Sequence, residues 1–463
     1  MGKVSVVGAG YVGMVSAACL AERGHDVIVV DRSRARIRLL GKGKVPFYEP
    51  GLDDLLERSR SRISFTASTR NAVERSDLTF ISVGTPGRPD GVIDLAQIRA
   101  SAYEIGRGLR SKSQVKHLIV VRSTVVPGTT WHVIRPILER ASGLTVGEGF
   151  SLAMQPEFLT QGNAIEDMLH PDRIVIGECD NEAGDRLETF YKEFHAGKAP
   201  PILRMNSTSA EVVKYAANAF LAMKVSFINE IAGICERLEG VDVVRVAEAV
   251  GLDSRIGGRF LKAGVGFGGS CLPKDIRALD ARAGELRFRS FLLPAILRVN
   301  DRQKRRVVQL ARRLLGSLKG KRVALLGLSF KPGTDDMRGA PSVEIIDHLR
   351  RAGAKVVVYD PAAMQNAREL LEGKVSYAPS LRECLRAADV CIVVTEWDEF
   401  RALTQDVLIS EMNRPVLVDG RRMYDQEDFA GVAYAAIGLG PMSRMTCHIP
   451  CRGRSIRQFM GKA

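Results

Sequence analysis

The residues best suited to chemistry lie in the stretch GFGGSCLPKD, Gly266 to Asp275. There a glycine-loosened backbone presents one cysteine ahead of a proline, a lysine and an aspartate. Proline is favoured in the first turn of a helix because its missing N–H would be unpaired there anyway, so the pattern predicts a helix opening just after Cys271. The thiol would then sit at a helix N-terminus, where free backbone N–H groups and the macrodipole favour a thiolate. Asp275 lies about one turn along on the same side. Two readings stay open at this point: an activated nucleophile, or a small apolar filler closing a loop.

A second set is Gly8, Gly10 and Gly13, a G-x-G-x-x-G placed after an apolar run and before a helical pattern, with Asp31 closing the next apolar run. The first glycine suits a tight turn, the second lets a pyrophosphate approach the backbone, and the third permits close helix–strand packing. The helix N-terminus then offers N–H donors to phosphate. Asp31 would accept from ribose hydroxyls and repel a 2′-phosphate, which favours NAD over NADP; a flavin dinucleotide fits the same fingerprint. A third set is Glu211, Lys214 and Asn218, which share one helix face by their i, i+3, i+7 spacing. Lys214 and Asn218 could stabilise a developing oxyanion, or the three could form a solvated polar stripe. Asn229 and Glu230 lie roughly 22 Å beyond Lys214 on a continuous helix and are expected to stand outside that site.

The elements that must carry these residues follow from periodicity. KVSVVGAGYVGMVSAACLAERGHDVIVVD reads as strand, glycine turn, helix and strand, one βαβ unit. Apolar runs at 77–84, 116–124 and 173–178 continue the alternation of a parallel, doubly wound sheet. From Asn206 a helical pattern without glycine or proline runs to Gly233, with Thr208 and Glu211 as a capping box, and helical segments continue to about Gly316. Strand patterns return at 321–330, 354–361 and 388–397. The fold class expected is α/β, two Rossmann-like doubly wound parallel-sheet domains joined by a long central helix and helical core. The boundaries expected are 1–205, 206–316 and 317–440, with a basic, disordered tail at 441–463.

Composition narrows the function. The 463 residues suffice for two or three cores, and no apolar run approaches the ~20 residues of a membrane span. The N-terminus has no leader character, which points to the cytoplasm. Eight scattered cysteines do not form a disulfide framework. Cys447, His448 and Cys451 hint at a metal site, but three nearby ligand types in a tail are weak grounds, and no metal is assigned. The net charge of +14 lacks the aromatic interleaving of nucleic-acid binders, so an anionic small molecule is the expected partner.

The chain resembles the UDP-glucose/GDP-mannose dehydrogenase family through an ordered series of motifs. These are GAGYVG (8–13), FYEPGL (47–52), GTP (84–86), RSTVVPGT (122–129), QPEFL (155–159), PDRIVIG (171–177), KYAANAF (214–220), RIGGRFLKAGVGFGGSCLPKD (255–275), and FKPGTDDMR with the following APS (330–342). The resemblance implies an NAD domain, a helical dimerisation core and a UDP-binding domain. It implies a four-electron oxidation of a UDP-sugar alcohol to a uronate with two NAD, UDP-glucose being favoured over GDP-mannose. A one-step alcohol dehydrogenase and a non-catalytic sensor of NAD or nucleotide sugar are the rival readings. In this pattern Cys271 is the nucleophile, Lys214 and Asn218 hold the oxyanion, Asp275 and Thr124 position or activate water, and Glu157 is a general base. The resemblance assigns to NAD Gly8, Gly10, Tyr11, Val12, Gly13, Asp31, Arg36, Thr85, Pro86, Ser123, Thr124, Gln161, Lys274 and Arg338. It assigns to the sugar nucleotide Glu157, Phe158, Leu159, Thr160, Lys214, Asn218, Phe260, Leu261, Lys262, Gly264, Gly268, Phe330, Lys331 and Arg421 or Arg422. Arg255 matches a residue that a neighbouring subunit donates, so the resemblance implies a homodimer or higher oligomer. Gln161 stands where the family usually carries a glutamate, and Gln155 where it carries an asparagine.

Overall fold

The computed structural model describes residues 2–112 and 116–441, so the expected basic tail and its Cys447, His448 and Cys451 lie outside the described residues, Pro441 excepted. Among the described residues fourteen strands form two sheets. The first holds β1 (Lys3–Val7), β2 (Asp26–Val30), β3 (Ile63–Thr66), β4 (Leu78–Ile81), β5 (His117–Val121), β6 (Phe150–Met154), β7 (Ile174–Glu178) and β8 (Ile202–Asn206). Their order is β3-β2-β1-β4-β5-β6-β7-β8. The second holds β9 (Arg322–Leu326), β10 (Lys355–Tyr359), β11 (Ser376–Tyr377), β12 (Val390–Val393), β13 (Val416–Asp419) and β14 (Ala433–Ala436), in the order β11-β10-β9-β12-β13-β14. The central strands are runs of Val, Ile, Leu and Ala buried on both faces, the composition a sheet covered by helices on each side requires. In both sheets the strand order reverses beside the first strand, and ligands bind at the carboxyl ends of strands at such switch points.

One detail departs from the all-parallel expectation. β7 runs antiparallel to β6 and pairs only at its top, Ala153 with Glu178 and Met154 with Gly177. β8 follows parallel to β7 and ends with Asn206 beside Glu178. An antiparallel neighbour needs no crossover back to the far edge, so segment 155–163 stays at the carboxyl end of the sheet. The helix Ser207–Cys235 then starts near that edge, packed so closely that a Cβ on Gly177 would lie 2.6 Å from Ala210 Cβ. Two turns on, Lys214 comes abreast of Glu157.

That 29-residue helix links the two sheets, and helices Leu272–Glu285 and Leu292–Lys304 pack against it. Its expected capping box is absent. Asn206 is the cap, its Oδ1 accepting from Ser209 N at 2.8 Å. Several short polar residues compete at 206–209, and Asn206, the one with extended backbone before the first turn, takes the role. Glu211 is drawn elsewhere. Fully buried, it accepts from Gly128 N at 2.5 Å, Thr130 N at 2.8 Å and Thr130 Oγ1 at 2.6 Å, and so pins the loop RSTVVPGT to the long helix.

Burial pushes the Glu211 carboxyl from 4.5 up to about 7 against those donors. A carboxyl raised in the folded state binds a proton that the unfolded chain releases. Its contribution to stability is therefore complete below 4.5 and is lost as pH rises through about 7. Glu211→Gln, which cannot titrate, should flatten this part of the curve when melting temperatures of both proteins are compared from pH 4 to 8.

Candidate active site

A cleft of about 1490 Å³ opens at the carboxyl edge of the first sheet and reaches residues 334–344 of the second unit. Gly8, Gly10, Asp31, Arg36, Gln161 and Arg338 are among its lining residues. The three glycines of the first turn play different parts. A Cβ on Gly13 would lie 1.9 Å from the Gly8 carbonyl oxygen, and one on Gly8 would lie 2.5 Å from that of Ser82. A Cβ on Gly10 would meet nothing within 4 Å of protein. Gly8 and Gly13 thus serve the packing of the turn, while Gly10 leaves open space at the start of helix Tyr11–Glu22, where a pyrophosphate can approach the backbone. Asp31 accepts from Ala9 N, Ser33 N and Arg36 Nη1, which fixes its carboxylate beside the turn. These residues fit a dinucleotide.

The contrast gives a test. Gly10→Ala should melt like the parent and lose NADH affinity in a fluorescence titration. Gly13→Ala should lose about 1–3 kcal/mol of stability or more from overpacking, seen as a lower melting temperature.

The far wall of the turn carries the other residues expected at the cofactor. Thr85 Oγ1 donates to Thr124 O at 2.7 Å, and Ser123 Oγ to Val83 O at 2.7 Å, which locks the loops after β4 and β5 together. Pro86 O accepts from Asp94 N at 2.8 Å, and Lys274 packs on Gly87. Tyr11 donates its hydroxyl to Glu49 Oε2, while Val12 sits in the first helical turn. Glu49, buried, also accepts from Gly162 N at 2.6 Å and Ala164 N at 2.7 Å. Glu49 therefore ties FYEPGL, the glycine turn and the segment after QPEFL into one unit, a role its motif alone did not show.

Cys271 is the N-cap of helix Leu272–Glu285, with Pro273 in the first turn. Around it Lys214 Nζ lies 3.2 Å from Glu157 Oε1 and 5.4 Å from the centre of the Phe158 ring. Asn218 Nδ2 donates to Asp275 Oδ2 at 2.6 Å, and Lys274 Nζ to Asp275 Oδ1 at 2.6 Å. Lys214, Glu157 and Asp275 are buried. Glu157 Oε2 accepts from Leu159 N at 2.7 Å, and Thr160 N donates to Asp167, so the segment 157–160 is held by one carboxylate within it and one from the helix that follows. Burial works against the charge on Lys214, but Glu157, Cys271 and Asp275 outweigh it and hold the ammonium above its ordinary range.

The thiol's charge is not what its place on the helix suggests. Cys271 is exposed, yet desolvation by the surrounding protein, then Asp275 and Glu157, push it above its ordinary value. Lys214 and Ser270 Oγ, 3.7 Å from Sγ, act the other way and are outweighed. Lost hydration and two nearby carboxylates favour the thiol over the thiolate.

The other residues expected at the sugar nucleotide lie on the loop 260–271 and on the second sheet unit. The loop 260–271 is pinned by two buried asparagines. Asn229 Oδ1 accepts from Gly264 N at 2.8 Å. Asn300 grips Phe267 from both sides, N to Oδ1 at 2.7 Å and Nδ2 to O at 3.0 Å. Asn229 therefore does serve this loop. The distance along the helix from Lys214 held, but the loop comes to Asn229. Leu261 is buried, Phe260 (φ 66°) and Lys262 are exposed, and Gly268 packs on Gly339 and Pro341. Arg421 reaches Val394 O at 2.6 Å and, at 3.4 Å each, Gly266 O and Phe330 O, whereas Arg422 is turned away to Asp242. Burial pushes Lys331 down, with Glu49, Asp167 and Glu396 pulling it back. Arg255 is 87% exposed and paired with Asp253, so within one chain it joins no part of the cluster. Among the described residues no group of three His, Cys, Asp or Glu side chains could hold a metal ion, and no helix is long and apolar enough to cross a membrane.

Comparison with known proteins matches three successive descriptions to this chain. They are the NAD binding domain of the UDP-glucose/GDP-mannose dehydrogenase family at residues 2–195, its central domain at 208–302 and its UDP binding domain at 324–426. A UDP-glucose 6-dehydrogenase of Haloferax volcanii is 43% identical over 436 residues, 94% of this chain and 100% of the relative. One of Rhizobium meliloti is 43% identical over 447 residues, covering 94% and 99%. The solved structure of a UDP-glucose dehydrogenase from Pyrobaculum islandicum superposes with a TM-score of 0.87 at 42% identity, covering 95% of this chain and 98% of that one.

Proposed function

From the premise that the chain belongs to the UDP-glucose/GDP-mannose dehydrogenase family and is an NAD-dependent nucleotide-sugar dehydrogenase, we propose that it oxidises UDP-glucose to UDP-glucuronate in two steps through Cys271. The UDP-glucose relatives named above support that substrate. The observation that carries the reading is a juxtaposition. Arg338 lines the cofactor cleft, and Cys271 caps the helix whose first turn brings Asp275 to Asn218, beside the Lys214–Glu157 pair.

Bound NAD supplies the hydride acceptor for each oxidation. The chain's own residues do the rest. Lys214 and Asn218 hold the sugar C6 oxygen as charge develops on it. Cys271 Sγ bonds the aldehyde carbon as the C=O π bond opens and its proton passes to the C6 oxygen, giving a thiohemiacetal, an sp3 centre able to lose a second hydride, with its hydroxyl proton released to water, and become a thioester. Water, oriented by Asp275 and Thr124 with Glu157 taking its proton, breaks the C–S bond and restores the thiol. The resting thiol suits this cycle, because the proton stays on sulfur until the electrophile forms beside Lys214.

In this reading residues 1–205 hold NAD, 206–316 pair two subunits and 317–440 hold the UDP-sugar. Phe220, Phe227 and Ile234 are exposed at seven-residue spacing along the long helix, an apolar stripe suited to a second copy, and Arg255 points outward beyond the same core. Turnover with UDP-glucose should give two NADH per sugar. Turnover restricted to GDP-mannose, or one NADH per sugar, would overturn the proposal.

A further inference from the structure

Gln161 lies where the two sheet units meet across the cleft. Its Nε2 donates to Asp336 Oδ2 at 3.1 Å. Only the amide's N–H end can face a carboxylate, which fixes the orientation of the side chain. Asp336 is held from its own loop by Arg338, whose backbone N and Nε donate to Oδ1 at 2.9 Å each and whose Nη2 donates to Oδ2 at 2.7 Å. Asp336 O accepts from Phe330 N at 3.2 Å, so the loop bearing Lys331 and Arg338 is organised around this aspartate.

Two further contacts cross the same seam. Tyr48 N donates to Asp335 Oδ1 at 3.4 Å, and Gly162 (φ +81°) sits so near Gly333 that a Cβ would lie 2.8 Å from its carbonyl oxygen. Gln161 and Arg338 both line the cleft, and the buried Gln161 Oε1 has no donor among the described residues.

We propose that Gln161 is a positioning residue that fastens the two sheet units over the cleft, its uncharged amide keeping the Asp336–Arg338 pair intact. The proposal rests on reading the cleft as the cofactor site and adds to it the device that closes the site. The ionisable groups facing the seam are Arg338 and Asp335 on the same loop, Glu49 and Tyr11 around the Gly162 N–H, Lys331 near Glu49 and Asp167, and Cys271 beyond Arg338. Burial works to raise the Asp336 carboxyl, but Arg338 and Gln161 outweigh it and hold it below its ordinary range. It stays ionised through neutral pH. In this seam a carboxylate at 161 would face another carboxylate about 3 Å away and compete with it for Arg338, which favours a proton on one of them or a wider seam.

The test is NADH binding by fluorescence, without sugar, for the parent, Gln161→Ala and Gln161→Glu between pH 6 and 9, with melting temperatures to show that each is folded. The parent Kd should stay level. Gln161→Ala should weaken it by about tenfold at every pH, the loss of one hydrogen bond to a charged group. Gln161→Glu should bind progressively more weakly as pH rises, with faster deuterium exchange in loop 330–338. A Gln161→Glu profile parallel to the parent's, or an unchanged Kd for Gln161→Ala, would overturn the proposal. Because no sugar is present, the outcome does not depend on UDP-glucose being the substrate.

Discussion

Replacing Cys271 by alanine should abolish formation of the uronate, with a fall in kcat of about 10⁴-fold or more, the scale seen when a covalent nucleophile is removed from an otherwise intact site. NADH affinity should hold within a factor of about two, because the cofactor cradle is built from the turn at Gly8–Gly13, Asp31 and the loops after β4 and β5 rather than from the thiol. Cys271 is exposed and caps its helix through backbone geometry, with no side-chain hydrogen bond to the helix, so its loss should also leave the melting temperature near that of the parent. Steady-state turnover, NADH titration and thermal melting check the three parts. A variant that still delivers two NADH per sugar would remove the sulfur from the mechanism.

Lys214→Ala should have an effect nearly as large, and a different signature. Losing a preorganised donor to a developing oxyanion costs about 10²–10³-fold in kcat. The same change removes the cation that opposes Asp275 and Glu157 at the thiol, so Cys271 is pushed further above its ordinary value and less of it ionises at any working pH. Alkylation of Cys271 by iodoacetamide should therefore be slower in Lys214→Ala than in the parent, and residual activity should climb with pH over a wider range. Stability should fall too, because Glu157 loses its partner at 3.2 Å and is left as a buried, uncompensated carboxylate, a defect of about 3–5 kcal/mol. Adding Glu157→Gln should recover most of the melting temperature and none of the activity. Recovery of turnover in the double variant would show that Lys214 acts only by neutralising Glu157.

The parts legible in the sequence are those in which neighbouring residues determine their own geometry. The glycine turn with Asp31, the helix opening behind Cys271, and the two sheet patterns separated by an unbroken helical stretch all depend on spacing within a few dozen residues, and the structure has each of them. What escaped depends on residues arriving from elsewhere. The reversal at β7 is set by register against β6, which no period in RIVIGE reports. Glu211 has the right spacing for a cap, yet buried backbone donors at 128–130, more than eighty positions away, claim it. The thiol's protonation follows first from burial by the surrounding protein, then from Asp275 and from Glu157, the last more than a hundred positions from the sulfur, and a helix-dipole argument leaves all three out. Asn229 and Asn300 show their role only when the loop 260–271 folds onto them; for Asn229 the one usable signal is an amide side chain in an otherwise apolar helical pattern.

The account rests on a bond between Cys271 and the half-oxidised sugar, and acid-quenched mass spectrometry of a single turnover with enzyme in excess tests it most directly. The peptide containing Cys271 should carry the mass of the oxidised UDP-sugar at early times and lose it as free UDP-glucuronate appears. Complete conversion with two NADH per sugar, and no added mass on that peptide at any time, would contradict it.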